Sequence, residues 1–499
     1  MGEIVQASVS KPVPGDVGEM TRTERQAMTQ AQRWVLGLTS LASFMISLDS
    51  LVVSTALSTI RLNLQASLAT LEWTVNAYNL TFAALMLTGS ALGDRFGRKR
   101  MFIAGLVVFT VASVACALSP NIGFLIAARA VQGSGAALVM PLALTQLSAA
   151  FPPQSRGRVL GIFSGVAGLA IFIGPFIGGA VTEGLAWRWI FWLNLPIGLL
   201  AILLVARRLE ESRGPNNRLD LIGLLLVTAS GLGIVWALVR GNTIGWGSAE
   251  VVGTLAAGIV LLAAFVSWEL RARSPMLPMR FFGIRAFATA NLANFCLFVS
   301  LYGTTFMLAQ YLQTALGYGP LGAGLRLMPW TATLMVCAPI AGTLADRVGE
   351  RTFMVAGLTL NAIGLGWLAL IATDNLPYSH MLLPLICSGC GISMAMPAAQ
   401  KSVVGAVKLQ EIGQASGAVS MLRIFGGVFG IAILGAVFAG FGSYASPKAF
   451  TDGFVAAISA AAAVAFAGAI FGLGMPGRRT APVGPPQAAA PQATRIAGS

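Results

Sequence analysis

Long apolar stretches, separated by short charged or Gly/Pro-rich breaks, recur along almost the whole chain after residue 33. A helix that crosses the hydrocarbon core of a bilayer needs about 20 mostly apolar residues, and its backbone groups must find their partners within the segment. The pattern therefore predicts fourteen membrane-spanning helices. They are expected at roughly 34–57, 72–92, 101–119, 122–147, 159–181, 189–207, 219–240, 250–268, 286–311, 321–344, 352–373, 380–402, 413–440 and 451–474.

Composition agrees with a chain that is mostly immersed in lipid. Apolar residues make up 56% of the 499 and charged residues only 10%, whereas about 25% of an ordinary soluble domain is charged. These values exclude a soluble enzyme and also an enzyme held by a single anchor.

The net charge of +14 raises the question of nucleic-acid binding, and the positions of the 32 basic residues answer it. With the N-terminus in the cytoplasm, 25 of them fall in cytoplasmic segments, four in outer segments and three within predicted spans. Such a bias is the positive-inside pattern of a membrane protein. It predicts a multi-pass protein with both termini cytoplasmic and gives no reason to expect a nucleic-acid partner.

The sequence lacks the residues that nucleotide binding, a histidine metal site or a hydrolase triad would require. None of the five lysines follows a glycine, so the chain has no phosphate-binding loop for a nucleotide. The one histidine, His380, lies near a predicted outer loop, without the companion residues that a histidine metal site or a Ser-His-Asp triad requires. We therefore expect no metal, no cofactor, no nucleotide and no enzymatic activity, and we expect an ion gradient as the energy source.

One segment occurs twice. Residues 92–106 (LGDRFGRKRMFIAGL, the first signature loop) and 344–358 (LADRVGERTFMVAGL, the second signature loop) share seven of fifteen positions at an offset of 252 residues. Each follows the second span of a six-span group, and two further spans lie between the groups. The repeat predicts an arrangement of six, two and six helices.

The two loops resemble the Gly-x-Leu-Ala-Asp-Arg-x-Gly-Arg-Lys signature of the major facilitator superfamily, and more narrowly its fourteen-span drug:proton antiporter branch. Ser90 stands where that signature usually begins with glycine. An aspartate at a helix end beside arginines can form charge-assisted bonds that lock one conformation, and the alternative is a basic loop that only sets topology. The resemblance implies a cytoplasmic gate formed by Asp94, Arg95, Gly97, Arg98, Asp346, Arg347 and Gly349.

The resemblance also implies a fold and a domain organisation. We expect an all-α membrane protein with the major facilitator fold, in which two six-helix bundles flank two accessory transmembrane helices. The expected parts are a cytoplasmic tail at 1–33, an N-terminal bundle at 34–207, accessory helices with linkers at 208–285, a C-terminal bundle at 286–474 and a disordered tail at 475–499.

The fifth span resembles the motif that the superfamily associates with antiporters, although Ala170 replaces one of its usual glycines. Small residues allow helices to approach closely, and a proline bends its helix. Ordinary helix packing is the alternative interpretation. The matching residues are Gly161, Gly174, Pro175, Gly178 and Gly179.

Asp49 is the one acidic residue that these spans place deep in the membrane, where a charge costs about 2.5–3.5 kcal/mol. At about 1.5 Å per residue, Asp49 and Arg129 lie at similar depths, roughly 10–12 Å from the outer ends of their helices. The sequence therefore suggests a proton-coupling pair. A fixed structural ion pair is the alternative.

Other polar residues within the C-terminal spans are candidates for a substrate cavity. Arg423 has no acidic neighbour on its own helix, so it either pairs across the bundle or meets an anionic part of a substrate. The amides of the ninth span either line the cavity or bond neighbouring helices together. They are Asn291, Asn294, Gln310 and Gln313.

These observations predict a proton-coupled secondary transporter of a bacterial inner membrane that exports small lipophilic or cationic compounds by alternating access. Its expected partners are the small-molecule substrate, protons and membrane lipid, and no oligomer is required. Export of an endogenous antibiotic, siderophore or amino acid remains an alternative in the same fold. A proton-symporting importer or a non-transporting receptor is a further alternative.

Overall fold

The computed structural model describes residues 28–213, 220–272, 275, 277–404, 406–407 and 412–476, and within these it consists of helices. Fifteen are α-helices, joined by short loops, with a short 3-10 helix at Met279–Gly283. The α-helices are α1 Gln30–Asn63, α2 Leu68–Phe96, α3 Arg98–Ala117, α4 Ile122–Ala150, α5 Pro153–Gly184, α6 Trp189–Trp192, α7 Asn194–Arg208, α8 Leu221–Ile244, α9 Ala249–Glu269, α10 Arg285–Thr314, α11 Pro320–Val348, α12 Glu350–Ile371, α13 Tyr378–Val404, α14 Ile412–Phe441 and α15 Pro447–Leu473.

Local sequence explains where many of these helices begin. Thr29 and Gln32 form a reciprocal capping box at the start of α1, and the side chains of Ser67 and Asn121 cap α2 and α4. Such caps satisfy amide groups that a first helical turn leaves without partners. The short polar breaks of the sequence are therefore helix boundaries as well as loops.

Thirteen helical segments in the described part of the chain are long and apolar enough to cross a membrane, with α6 and α7 counted together as one. The remaining long helix, α2, has 29 residues and packs between α4 and α14. Polar side chains within the helix, such as Asn76, Tyr78 and Asn79, make its middle less apolar than the other spans. With α2, the fourteen expected segments are accounted for.

The helices form two bundles with the same internal packing. In the first, α2 and α3 pack on α4, α1 packs on α5, and α3 packs on α7. In the second, the corresponding pairs are α11 and α12 on α13, α10 on α14, and α12 on α15. The repeat that the sequence shows in one loop therefore extends to the packing of the whole bundle, as the expected fold requires.

The bundles meet along α5 with α11 and along α2 with α14, and α1 faces α10 between these seams. The accessory hairpin of α8 and α9 lies outside, with α8 against both α2 and α14. We call the end of the assembly at which α1 begins and α15 ends the terminal side, and the other end the opposite side.

Contacts between the bundles close the opposite side. Gln313 in α10 donates a hydrogen bond of 3.0 Å to the carbonyl of Thr55 in α1. The backbone amide of Leu321, in α11, donates to Glu183 at the end of α5 at 2.9 Å. The guanidinium of Arg61 lies 4.0 Å from the ring centre of Tyr444. These contacts tie α1 and α5 to the second bundle.

Candidate functional site

A cavity of about 160 Å³ lies between the two bundles, lined by residues of α1, α2, α4, α5, α10, α11, α13 and α14. Its wall is mostly aliphatic and aromatic, with hydroxyl groups and one amide between the apolar side chains. A mostly apolar cavity with few polar groups is typical of a small-molecule site. Lining residues that matter below are Ser50, Asn79, Pro175, Phe298, Tyr302, Trp330, Met396 and Arg423.

Asp49 and Arg129 form an ion pair beside this cavity, with 2.6 Å between Oδ2 and Nη1. Both side chains are only 1% exposed. The sequence suggested that they share a depth, and the structure brings them into contact. Their role in proton coupling stays a prediction.

Two amide side chains complete the site around Asp49. Gln132 and Asn194 donate to its Oδ1 at 3.0 and 2.8 Å, and Arg129 also donates to Gln132 at 2.8 Å. We call Asp49, Arg129, Gln132 and Asn194 the ion-pair network. A buried carboxylate with three donors is well satisfied as an anion.

Arg129 of the ion-pair network makes two further contacts, both with residues of α2. Its Nε donates to the carbonyl of Thr74 at 3.1 Å, and its guanidinium lies 4.1 Å from the ring centre of Tyr78. Its Nη2 has no hydrogen-bond partner among the described residues. Because Tyr78 also lies 3.5 Å from the hydroxyl of Ser50, which lines the cavity, the network is one side chain away from the cavity wall.

Gln132 and Asn194 were not among the predicted site residues, although sequence signals for both exist. Gln132 lies three residues after Arg129 and therefore on the same helix face. Asn194 begins α7 after the aromatic run of α6, and its Nδ2 also donates to Ser113 at 3.0 Å. Only the fold brings it to Asp49, 145 residues away in sequence.

The first signature loop forms a tight connection between α2 and α3. Gly97 ends one helix and begins the next with φ of 108°, and Gly349 does the same in the second loop with φ of 107°. Residues with a Cβ rarely adopt this conformation. The two signature loops therefore share a backbone conformation as well as a sequence pattern.

Within the first loop, Arg98 pairs with Asp94 at 2.9 Å through both Nε and Nη2, and the two side chains are 15% and 13% exposed. Arg95 lies with its guanidinium 5.2 Å from the ring centre of Phe96. The side chains of Asp346 and Arg347 in the second loop lie outside the described residues. The described pair thus joins α2 to α3 within one bundle.

Glu211 is a participant in this loop that the sequence did not suggest. Its carboxylate accepts from the backbone amides of Lys99 and Arg100 at 2.9 and 3.2 Å. These amides belong to the first turn of α3 and have no partner within the helix. An acidic group at a helix N-terminus is stabilising. Ser212 continues the contact by accepting from the amide of Arg98. These hydrogen bonds therefore hold the segment after α7 against the first signature loop.

We predict that Asp94→Asn impairs transport at least several-fold, whereas Lys99→Gln leaves it within about two-fold of wild type. The first removes a half-buried charge-assisted pair worth about 1–3 kcal/mol, and the second changes a side chain whose backbone, not its charge, contacts Glu211. Efflux rates at matched membrane abundance measure both. Normal efflux from the Asp94→Asn protein would contradict a gating role.

Glycines of the antiporter motif lie at two different interfaces. A Cβ on Gly178 would lie 2.9 Å from Cα of Val52 in α1, within the same bundle, and one on Gly174 would lie 2.9 Å from Cβ of Leu51. A Cβ on Gly179 would lie 2.8 Å from Cα of Leu321 in α11, across the seam. Gly161 has open space around it. Pro175 lies inside α5 and lines the cavity.

The candidate cavity residues separate into one that lines the cavity and four that do not. Arg423 is part of the wall, whereas the amides of α10 lie outside the described lining. The sequence could not fix the rotation of α10, and its amides face helices instead. Asn291 and Asn294 are buried and 1% and 2% exposed, Gln310 bonds to Phe306 and Tyr444, and Gln313 bonds to Ala309 and Thr55.

A second buried carboxyl lies on the opposite side, at Glu72 of α2, which is 2% exposed. It packs against Gly435 of α14, and its Oε2 has no hydrogen-bond partner among the described residues. The sequence placed Glu72 at the edge of the second span, and the structure places it in the first turns of α2, where α14 covers its side chain.

Comparisons with known proteins agree with this architecture. The sequence profile of the Major Facilitator Superfamily matches residues 39–290 and 290–497. The chain is 35% identical to the cephamycin export protein CmcT of Amycolatopsis lactamdurans, over 86% of this chain and 89% of that protein. It is also 35% identical to the multidrug resistance protein Stp of Mycobacterium tuberculosis (strain CDC 1551 / Oshkosh), over 83% and 77%.

A third relative, the methylenomycin A resistance protein of Bacillus subtilis, is 33% identical over 81% of this chain and 87% of its own length. Among solved structures, a bacterial homologue of the lysosomal transporter Spinster, in an inward-facing and unoccupied conformation, matches with a TM-score of 0.64. It covers 90% of this chain and 97% of its own, at 16% identity, and so supports the fold alone. The chain is a multi-pass membrane transporter that belongs to the major facilitator superfamily.

Proposed function

We propose that this protein exports small lipophilic compounds, including antibiotics, across a bacterial inner membrane in exchange for protons. The observation that carries the proposal is the mostly apolar cavity between two bundles, with the buried Asp49–Arg129 pair one side chain behind its wall. Relatives named for drug resistance and antibiotic export support the choice of substrate class.

The proposed cycle alternates access to the cavity. The bonds from Gln313 to Thr55 and from Leu321 to Glu183 hold the opposite side closed. In this state the Asp49 carboxylate accepts from Arg129, Gln132 and Asn194. Opening of the opposite side would break these contacts and let Asp49 take up a proton while the substrate leaves. The proton gradient is the energy source, and we assign no catalytic residue, cofactor, nucleotide or obligatory oligomer.

The orientation of the chain is part of the proposal. The terminal side is assigned to the cytoplasm, because 25 basic residues fall in segments on that side and four on the other. Reporter fusions near residues 20 and 490 should then be active only in the cytoplasm. Periplasmic activity at both positions would reverse the assigned orientation and the direction of transport, and periplasmic activity at one position would contradict the even number of spans.

Export of an endogenous product is the second candidate. A relative named as a cephamycin exporter matches over most of both chains, which supports an antibiotic made by the producing organism as the substrate. A compound panel on producing cells separates the two candidates, because a dedicated exporter protects against one chemical family and a multidrug exporter against several.

The test of the function is drug efflux from cells that overproduce the chain, measured before and after collapse of the proton gradient. We expect cells to accumulate less compound than controls, and the difference to vanish when the gradient is removed. Efflux that continues unchanged without a gradient would overturn proton coupling, and equal accumulation with and without the protein would overturn export.

A further inference from the structure

Arg423 is the only charged side chain among the described residues that line the central cavity. It lies on α14 and is partly accessible, and its guanidinium is 5.6 Å from the ring centre of Phe298. No ion pair or hydrogen bond to Arg423 is present within the described residues. The cavity wall therefore includes a partly accessible arginine for which the described residues supply no ion pair.

No carboxylate is available in this cavity to neutralise that charge. The described lining includes no aspartate or glutamate. Asp49, the carboxylate of the ion-pair network in the other bundle, already accepts from Arg129, Gln132 and Asn194. A guanidinium in a mostly apolar cavity is costly without an anion or water beside it, so the cavity has a net positive field.

We propose that Arg423 binds the anionic head group of the substrate, a carboxylate or a sulfonate, while the apolar part of the molecule lies against Phe298, Trp330 and Met396. A guanidinium suits two anionic oxygens at once, because its donors form a planar fork. The preferred substrates are then amphiphilic monoanions. This inference rests on the proposed function, since it concerns the cargo of the same cavity.

The size of the cavity limits the apolar part of the molecule. An apolar cavity of about 150 Å³ holds one benzene ring, so the 160 Å³ present here accommodates one aromatic ring with a small head group. Larger cargo requires the bundles to separate further. The same positive field disfavours an organic cation, because like charges in a low-dielectric site repel strongly.

The test uses three radiolabelled probes with one ring each: benzoate, the uncharged and nearly isosteric benzamide, and the cation benzylammonium. Equilibrium dialysis with the purified full chain in lipid nanodiscs gives each Kd. For wild type we expect benzoate to bind at least ten-fold more tightly than benzamide, and benzylammonium to bind most weakly. A wild-type protein that binds benzoate no better than benzamide overturns the proposal.

Variants of Arg423 and of a control arginine test whether Arg423 causes the preference for benzoate. Arg423→Gln should weaken benzoate binding at least ten-fold and leave benzamide within two-fold, and Arg423→Lys should recover part of the loss. Arg326→Gln is the matched control, because Arg326 stacks 3.5 Å over the Tyr318 ring and lies outside the described cavity lining. Unchanged benzoate binding by Arg423→Gln, or an equal loss in the control, assigns the anion to another place and overturns the proposal.

Failure here is distinguishable from failure of the proposed function. A chain that exports benzamide with a proton gradient yet does not prefer benzoate remains an exporter and loses the anion site. A chain that binds benzoate through Arg423 but accumulates no probe in proteoliposomes with a proton gradient keeps the anion site, and export is then the part that is wrong.

Discussion

Asp49→Asn is expected to abolish proton-driven export and to leave only movement down the substrate gradient. Asparagine keeps the size of the side chain, but it removes the proton-binding carboxyl and the negative charge that Arg129 faces at 2.6 Å. Leaving a buried charge without its partner costs about 3–5 kcal/mol, which corresponds to a hundred-fold or larger change in an equilibrium. Substrate-induced proton release in proteoliposomes measures the loss.

Two further variants separate a coupling role from a structural one. In Asp49→Asn with Arg129→Gln both charges are absent, so the uncompensated arginine no longer destabilises the protein, and coupling should still fail. Glu72→Gln is the matched control, because Glu72 is a second buried carboxyl whose Oε2 makes no hydrogen bond within the described residues. If the doubly substituted protein exchanges protons at the wild-type ratio and Glu72→Gln does not, the carrier is Glu72.

Gly179→Val is expected to slow export by roughly 5- to 150-fold while insertion and abundance remain normal. A Cβ at this position would lie 2.8 Å from Cα of Leu321 in the other bundle, where backbone meets backbone. Overpacking of this kind costs about 1–3 kcal/mol, and it acts only in the state with the opposite side closed. The population should therefore shift toward the state that is open there.

Gly161→Val is the control for this variant, because a Cβ added at Gly161 would have no neighbour within 4 Å. A cysteine in place of Ser50, which lines the cavity, reports the shift in an otherwise cysteine-free protein. Its labelling by an impermeant maleimide from the opposite side should increase in Gly179→Val only. Equal labelling and equal efflux in both variants would show that the antiporter motif of α5 serves only ordinary helix packing.

The sequence was most informative where a property is periodic or repeated. Hydrophobic stretches predicted the helices, and the Asp-Arg-x-Gly repeat predicted two related bundles whose glycines, Gly97 and Gly349, indeed share one unusual backbone conformation. The contact between Asp49 and Arg129 was expected from depth alone, because both helices cross the same layer.

Rotation of a helix about its own axis was the quantity that the sequence did not determine. Asn291 and Gln310 are polar residues in an apolar helix, yet neighbouring helices cover them and the cavity wall does not include them. Gly435, 363 positions later, lets α14 approach Glu72 closely and contributes to its burial. Such contacts depend on distant partners, which hydropathy along one chain does not reveal.

The accessory hairpin also has a consequence for molecules already dissolved in the bilayer. Because α8 packs against both α2 and α14, it stands outside one of the two seams where the bundles meet, with Gly231 close to Leu80 on one helix and Phe425 on the other. Lateral entry from the lipid is thereby obstructed along that seam. The accessory hairpin packs mainly on this seam, so the two seams differ in how they face the surrounding lipid.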